Sequence, residues 1–345
     1  MTELSARRAW HLGTLAARTY RQRMTTVRQD HAVTRHGFLV GTPFCGSTVF
    51  GQALGAHTSM SYLGEVDRAV RFGPSVWAEN PDPSCHYCEL NDQSCPLWTE
   101  ERLQTARSLP HGKLMPYFAE ELGGAAVVDG SKHPHWLRAV LADQPADPEA
   151  TVVFLTARSP FAFCDSYRFR TGCGIWEAAN VWRDVYYDSQ RMLNRARLPH
   201  MIVRYEDFAL NPEPVLRSAC GLLGVDYEPQ MRFFQGRPGH DIGGNYSARA
   251  VAREAAGEFS TEEFRKRLPG GLVPFMEAAE SYWGKPFGGW VDDKWQRTMT
   301  EDDIEFVLQT PGLVDVANLL GYELGSEVLA WSRREAAEPA EAPEA

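Results

Sequence analysis

The sequence predicts an α/β protein with a P-loop-like parallel sheet flanked by helices and a helical cap at its C-terminal end. Apolar strand candidates alternate with helical patterns at residues 38–40, 125–128, 151–155 and 201–203. Short strands separated by helices pair in parallel through right-handed crossovers. A small-residue loop also joins the first strand to a helix-like stretch. The segments around Trp295 and Tyr322 are assigned to the cap.

Length and charge limit the classes of function. A chain of 345 residues with 43% apolar residues can bury a substantial core. Its formal net charge of −10 argues against a nucleic-acid polymer as partner, because neutralising successive phosphates needs a basic face. A nucleotide-sized ligand needs only local arginines.

The chain divides into three parts. Residues 1–30, rich in Arg and Ala, form a predicted helical segment, and residues 31–331 form the α/β domain, with a cysteine-containing insertion at 84–98. Residues 332–345 lack apolar anchors and are predicted to be a disordered acidic tail. No stretch approaches membrane-spanning length or a secretory signal, so a cytoplasmic location is expected. The oligomeric state, a homodimer included, is left open.

The loop after the first strand is a candidate anion site. Residues 41–48 read GTPFCGST, between an apolar run and a helical pattern. A strand, a small-residue turn and a helix start expose backbone N–H groups at the positive end of a helix, where phosphates bind. The glycines have Walker A spacing, but Ser47 stands at the lysine position. A plain strand-turn-helix corner is the alternative.

A second segment supplies cations. Arg158 follows the apolar run 151–155, and Pro160 suits the first turn of a following helix. Ser166 and Arg170 lie four residues apart and share a face of that helix. Two guanidinium groups and a hydroxyl can converge on a dianionic phosphate. Taken alone, Arg158 also fits a surface salt bridge.

Together the two segments resemble sulfotransferases that use 3′-phosphoadenosine-5′-phosphosulfate (PAPS). The loop is similar to that family's G-x-P-[RK]-S-G-[ST]-T motif except at Phe44 and Cys45, and Arg158, Ser166 and Arg170 match the R-x(7)-S-x(3)-R pattern of the tyrosylprotein branch. Weaker ordered likenesses follow at 64–68, 129–134, 204–212, 222–224 and 240–245.

The resemblance implies PAPS as co-substrate, a small-molecule hydroxyl acceptor, no required metal, and a role of the kind seen in bacterial secondary metabolism. It assigns the 5′-phosphosulfate to the loop and the 3′-phosphate to Arg158, Ser166 and Arg170. The loop residues are Thr42, Pro43, Phe44, Cys45, Gly46, Ser47 and Thr48. Asn245, Tyr246 and Arg249 are candidates for a loop that closes over the nucleotide, with a plain surface loop as the alternative.

The same resemblance assigns catalytic roles. Glu65, expected one helix and a turn after the loop, is the candidate general base, and a surface or capping glutamate is the alternative. Lys132, expected in the loop after a strand ending near Asp129, is the candidate cation for the sulfate, with an ordinary exposed lysine as the alternative. His133 is a second candidate base, and so is His135.

Phe44 is the main departure from the family pattern. The family has Arg or Lys there, and phenylalanine supplies no charge. Lys132, Arg68 or a later basic residue replaces it, or the chain binds nucleotide without efficient transfer. Two alternatives to a sulfotransferase therefore stay open. One is a catalytically impaired nucleotide-binding module. The other is a P-loop kinase, suggested by Asp129 at the end of an apolar strand.

The seven cysteines form no disulfide framework typical of secreted proteins, and reduced thiols are expected. Cys85, Cys88 and Cys95 can hold zinc only if a fourth ligand comes from elsewhere in the chain. The spacing favours a loop staple or simple packing over zinc, and no metal is assigned.

Overall fold

The computed structural model describes residues 34–70, 85, 88, 94–143, 147, 149–236, 240–245 and 291–335. The predicted N-terminal segment 1–30 lies outside these residues. So do Tyr246, Arg249 and the end of the predicted tail.

Five parallel strands form one sheet in the order β2-β3-β1-β4-β5. The strands are β1 Arg35–Gly41, β2 Met60–Gly64, β3 Ala126–Lys132, β4 Thr151–Ala157 and β5 His200–Arg204. Three of the four predicted strand segments lie wholly within these strands, and the fourth, 125–128, begins one residue before β3. This agreement confirms the predicted α/β class. The strand β2 was not predicted, because its sequence MSYLG is short and lies at the sheet edge.

Thirteen α-helices occur among the described residues, along with two 3₁₀ helices, His111–Lys113 and Pro229–Gly236. The first nine are α1 Ser47–Gly55, α2 Val66–Ala69, α3 Glu100–Ser108, α4 Leu114–Leu122, α5 Pro134–Asp143, α6 Pro160–Thr171, α7 Ile175–Ala196, α8 Tyr205–Leu210 and α9 Pro212–Leu223. The C-terminal cap contains α10 Trp295–Thr298, α11 Glu301–Gln309, α12 Leu313–Leu319 and α13 Leu324–Glu335. Helix α13 extends four residues into the segment predicted to be a tail.

The sheet is buried on both faces because successive side chains of a strand point to opposite sides. In β4, Val153 and Leu155 belong to a core shared with α7 and the cap. Their neighbours Val152 and Phe154 belong to a core shared with α1 and α9. Helices on both faces leave the carboxyl edge of the sheet as the place where loops gather.

Local signals explain how the helices at this edge begin and end. Pro160 occupies the first turn of α6 as predicted, and Gly172 ends the helix in the left-handed conformation. Thr300 and Asp303 form a reciprocal capping box at the start of α11. No helix of the described residues is long and apolar enough to cross a membrane.

Candidate functional site

The loop after β1 ends at an open helix N-terminus. Gly46 has a φ of 84°, and α1 begins at Ser47 with no side-chain cap. The first amides of a helix have no intrahelical acceptor, so they can bind an anion. Any side chain at position 46 would meet the ring of Tyr205 at 2.5 Å, so only glycine fits there. The hydroxyl residues Ser47 and Thr48 are buried at this turn.

Buried hydrogen bonds hold the loop on the sheet. The Cys45 thiol lies 3.1 Å from the Thr156 hydroxyl on β4, and the Thr42 hydroxyl lies 3.1 Å from the Tyr186 hydroxyl. Tyr186 in turn donates to the Thr156 carbonyl oxygen over 2.9 Å. The Cys45 thiol is therefore one of the contacts that fix the turn. The half-buried Pro43 lies between these anchors.

Phe44 sits in the left-handed region with a φ of 63°, which is unusual for a bulky residue. The guanidinium carbon of Arg170 lies 4.2 Å from the centre of its ring, and the Tyr167 ring centre lies 6.4 Å away. The fold therefore brings a cation from α6 onto the ring at position 44.

Arg158 follows β4 and reaches the same loop. Its Nη1 donates to the Phe44 carbonyl oxygen over 3.2 Å, and its guanidinium lies 5.3 Å from the centre of the Tyr205 ring. Its Nη2 forms an ion pair with Asp292, and the side chain is only 7% exposed. Ser166 lies half-buried on α6, one turn before Arg170. The structure thus brings Arg158 and Arg170 together at Phe44, while their predicted nucleotide contacts stay predictions.

Glu65 directly follows β2, and its carboxylate is buried between two cations. Lys132 binds one carboxylate oxygen, and the Arg68 Nε lies 2.5 Å from the other. The carboxylate proposed as general base is thus ion-paired through both of its oxygens. Two expectations about this pair were wrong. A strand separates Glu65 from α1, and Lys132 is the last residue of β3, with a φ of 68°, rather than part of a following loop.

Two further carboxyl groups lie behind this pair. Burial, together with Asp129 and Glu65 nearby, raises the pKa of Asp67 to about 7. Burial raises the pKa of Asp129 as well, although its carboxylate accepts hydrogen bonds from the Ser131 amide at 2.8 Å and from the Trp136 indole at 2.7 Å. The Asp129 carboxylate therefore serves as a buried acceptor that joins β3 to α5.

A distant segment, residues 240–245, packs onto both the base and the loop. The Glu65 amide donates to the Ile242 carbonyl oxygen over 2.7 Å. The Asn245 amide donates to the Thr48 hydroxyl over 3.0 Å. Gly243 has a φ of 67°, and a Cβ there would lie 2.4 Å from a Glu65 carboxylate oxygen. The Asn245 backbone thus contacts the loop. The other two residues predicted for this segment, Tyr246 and Arg249, lie outside the described residues.

The two candidate histidines differ in surroundings. His133 is half-buried, and burial with the neighbouring Lys132 lowers its pKa to about 4. Its imidazole is therefore neutral near pH 7 and a weak proton acceptor. His135 is exposed and stacks on His133 with ring centres 5.1 Å apart. Glu65, which lies against Lys132, stays the first candidate for the base.

Ser159 contacts two acidic residues that were not predicted for the site, Glu206 on α8 and Glu327 on the cap helix α13. The Ser159 amide donates to Glu206 over 2.8 Å, and the Ser159 hydroxyl donates to Glu327 over 2.5 Å. Burial, followed by repulsion from Glu206, raises the pKa of Glu327 to about 7. Asp292 is a further missed residue. Only its distance along the chain from Arg158 hid it, since 134 residues separate the two.

The site has the donors that a nucleotide with two anionic groups needs, but two of its cations are already ion-paired. The open helix start, the buried hydroxyls and the cations Lys132, Arg158 and Arg170 are the donors that phosphate and sulfate groups need. Lys132 is paired with the buried carboxylate of Glu65, and Arg158 with the half-buried carboxylate of Asp292. A phosphate at Arg158 must therefore share or displace Asp292.

No protein-family model matches the chain, and no curated protein matches it. Solved structures give distant overall likenesses. The sulfotransferase domain of the Synechococcus PCC 7002 olefin synthase is 17% identical, with a TM-score of 0.49 over 86% of this chain and 98% of that one. The sulfotransferase domain from the curacin biosynthetic pathway is 18% identical, with a TM-score of 0.45 over 73% of this chain and 98% of that domain. A Mycobacterium avium sulfotransferase is 13% identical, with a TM-score of 0.37 over 79% of this chain and 82% of that protein. The function proposed below therefore rests on the residues of this chain.

Proposed function

We propose that the protein transfers the sulfuryl group of 3′-phosphoadenosine-5′-phosphosulfate to a hydroxyl group of a small molecule. The observation that supports this most directly is the gathering of an anion-binding loop, the Glu65–Lys132 pair and Arg158 at one edge of a parallel sheet. The loop supplies amide donors, the arginines supply charge and the glutamate supplies a base.

The loop and arginines bind and orient the donor in this proposal. The amides at the start of α1, with Ser47 and Thr48, hold the 5′-phosphosulfate at the positive end of the helix. Arg158 and Arg170 hold the 3′-phosphate, with Ser166 between them along the chain. Both guanidinium groups already contact Phe44, so the two ends of the nucleotide site share that residue.

Glu65 and Lys132 act on the reacting groups. PAPS supplies an activated sulfuryl group whose bond to the 5′-phosphate breaks as a bond to the acceptor oxygen forms. Glu65 takes the proton of the acceptor hydroxyl, which raises the nucleophilicity of that oxygen. Lys132 neutralises negative charge around the transferring group. Proton arrival at Glu65 weakens its hold on Lys132, so the cation becomes available as charge builds up on the leaving phosphate.

The test is a transfer assay on the full chain. Radiolabelled PAPS is incubated with the protein and a panel of alcohols, phenols and glycosides, and the appearance of 3′-phosphoadenosine-5′-phosphate (PAP) is followed with the labelled product. Acceptor-dependent release of PAP that is lost in Glu65→Gln supports the proposal. A protein that binds neither PAPS nor PAP contradicts it.

A second candidate is a nucleotide-binding module without transfer activity. The observation in its favour is that Lys132 and Arg158 are both already paired with carboxylates, while position 44 lacks a charge of its own. This candidate predicts PAPS binding with no turnover for any acceptor, and activity gained in Phe44→Arg. Robust turnover by the natural sequence excludes it.

The kinase alternative loses its main support. Asp129, the candidate Walker B aspartate, is buried and already hydrogen-bonded to Ser131 and Trp136. A Mg²⁺ ligand needs free carboxylate oxygens facing the phosphates. Tight binding of ATP with Mg²⁺ and weak binding of PAP would reverse this ranking.

A further inference from the structure

Three thiols and one imidazole converge beside the candidate site. Cys85, Cys88 and Cys95 come from the insertion, and His240 comes from the segment that packs on Glu65. The Nδ1 atom of His240 lies 3.3 Å from the Cys88 sulfur, 3.7 Å from the Cys95 sulfur and 3.8 Å from the Cys85 sulfur. All four atoms lie within 4.8 Å of one another. The fourth ligand that the cysteine spacing lacked is therefore present in the fold.

These separations match a tetrahedral metal site. Zinc bonds of about 2.3 Å to sulfur and about 2.0–2.1 Å to nitrogen place a sulfur and a nitrogen ligand about 3.6 Å apart and two sulfurs about 3.8 Å apart. The three distances from the imidazole to the sulfurs bracket the first value. One atom surrounded by three sulfurs at such equal distances is the arrangement that a shared central ion produces.

A disulfide staple and simple apolar packing both fit the cluster less well than a metal ion. None of the seven cysteines, all within the described part of the chain, forms a disulfide. A staple would engage two of the three thiols and leave the imidazole without a reason to face them. Apolar packing would not gather the polar edge of a histidine among thiols, two of them buried.

We propose that Cys85, Cys88, Cys95 and His240 bind one zinc ion in a closed structural site. Three thiolates and an imidazole fill all four tetrahedral positions, so no position is open for a reacting water. The soft sulfur ligands select zinc over magnesium and calcium. Where the cysteine spacing alone supports no metal, the fold supplies a complete ligand set.

Trp98 supports this ligand set from outside. Its backbone amide donates to the Cys95 sulfur over 3.3 Å, and its indole donates to the His240 carbonyl oxygen over 2.5 Å. Hydrogen bonds of this kind orient ligands around metals. The same residue therefore fixes one ligand from the insertion and the backbone of the ligand from the distant segment.

The ion would fasten the insertion to residues 240–245. Cys85 and Ile242 pair in an antiparallel bridge, and Ile242 pairs with Gly64 at the end of β2. Ile242 also accepts the Glu65 amide hydrogen bond. Zinc at His240 thus stabilises the backbone that covers Glu65, without contact with the reacting groups.

Metal analysis of the full chain tests the proposal independently of any transfer activity. Protein purified without added chelator is expected to contain about one equivalent of zinc, measured by inductively coupled plasma mass spectrometry. Replacement of the metal by Co²⁺ is expected to give the intense thiolate charge-transfer absorption and the red d–d bands of tetrahedral cobalt. Absence of bound metal, or a disulfide among the three cysteines in intact-mass analysis under native purification, overturns it.

Matched variants separate ligands from bystanders. His240→Ala and Cys95→Ser are expected to lose most of the zinc, whereas His240→Cys, which offers a fourth thiolate, retains it. Cys173→Ser removes a half-buried thiol outside the cluster and should leave the metal content unchanged. Equal zinc content in His240→Ala and the natural protein contradicts the assignment of His240. If a variant does not fold, the cobalt spectrum of the natural chain still decides.

Discussion

The guanidinium of Arg158 donates a hydrogen bond to the backbone carbonyl oxygen of Phe44 over 3.2 Å. Their positions are 114 residues apart in the chain, and the contact joins the end of β4 to the loop after β1. Because these two strands are parallel neighbours, their carboxyl ends bring the loop and the arginine to one place. A single small ligand can therefore contact both.

Arg158→Ala should weaken the binding of PAP by about 1.5–3 kcal/mol, or about 10- to 150-fold, because a charge-assisted contact to the 3′-phosphate is lost. Calorimetric titration with PAP and with adenosine 5′-monophosphate measures it. Only the 3′-phosphorylated nucleotide should lose affinity.

Asp292→Asn should act in the opposite direction, because it frees Arg158 from its ion pair while leaving the guanidinium in place. Tighter PAP binding is the expected result. Arg168→Ala, which breaks the ion pair between Arg168 on α6 and Asp303 on α11, is the control and should not change PAP binding. Equal losses in Arg158→Ala and Asp292→Asn would mean that the pair serves folding alone.

Phe44→Leu should lower PAP affinity by about 0.5–2 kcal/mol, the range for a lost cation–π contact, since Arg170 loses the ring that positions it. Phe44→Tyr keeps the ring and should keep the affinity. Binding curves for the three proteins decide the matter. An unchanged affinity in Phe44→Leu would contradict a positioning role for the ring.

Glu65→Gln should reduce turnover by about two to four orders of magnitude, which is the usual cost of removing a general base. PAP binding should change little, because the loop and arginines remain. Steady-state rates and PAP titrations measure both quantities. Glu101→Gln, at an exposed position on α3, is the matched control. A parallel loss of affinity would show that Glu65 holds the site together instead of taking a proton.

Gly243→Ala should impair turnover, since its methyl group would crowd the Glu65 carboxylate at 2.4 Å. Strain from the positive φ is expected to cost about 1–2 kcal/mol of stability. Gly172→Ala separates the two effects, because Gly172 also has a positive φ but nothing lies within 4 Å of the added Cβ. Thermal unfolding and rates of both variants give the comparison. Similar activity in the two would exclude crowding at Glu65.

Glu327→Gln should stabilise the protein at pH 8 much more than at pH 5. The pKa of Glu327 rises from an ordinary 4.5 to about 7 on folding, so the folded state binds more protons. Stability from this group is therefore full below pH 4.5 and is lost as the pH rises through about 7. Glutamine removes the charge and still accepts the Ser159 hydrogen bond.

Melting temperatures across this pH range are the measurement for Glu327. Glu323→Gln, at an exposed position just before α13, is the control. A pH-independent effect of Glu327→Gln would show that the buried charge is not its cause.

Local patterns predicted much of the site. The strand β4 is recognisable because all seven of its residues are buried and apolar or β-branched. Pro160 marked the start of α6, and the spacing of Ser166 and Arg170 placed them on one helical face. The strand β2 escaped prediction, since two of its five residues, Met60 and Leu63, are the only strongly apolar aliphatic ones. Because β2 was not predicted, Glu65 was wrongly expected to follow a helix and a turn rather than a strand.

The sequence by itself determined the α/β class, the turn between β1 and α1 and the helix carrying Arg170, because strands, turns and helices are encoded by neighbouring residues. Only the tertiary structure decided which charges are paired. Lys132 meets Glu65 across 67 positions, Arg158 meets Asp292 across 134, and His240 meets Cys88 across 152. Such contacts depend on the order of strands in the sheet and on the path of the chain over its edge, and no local pattern encodes either.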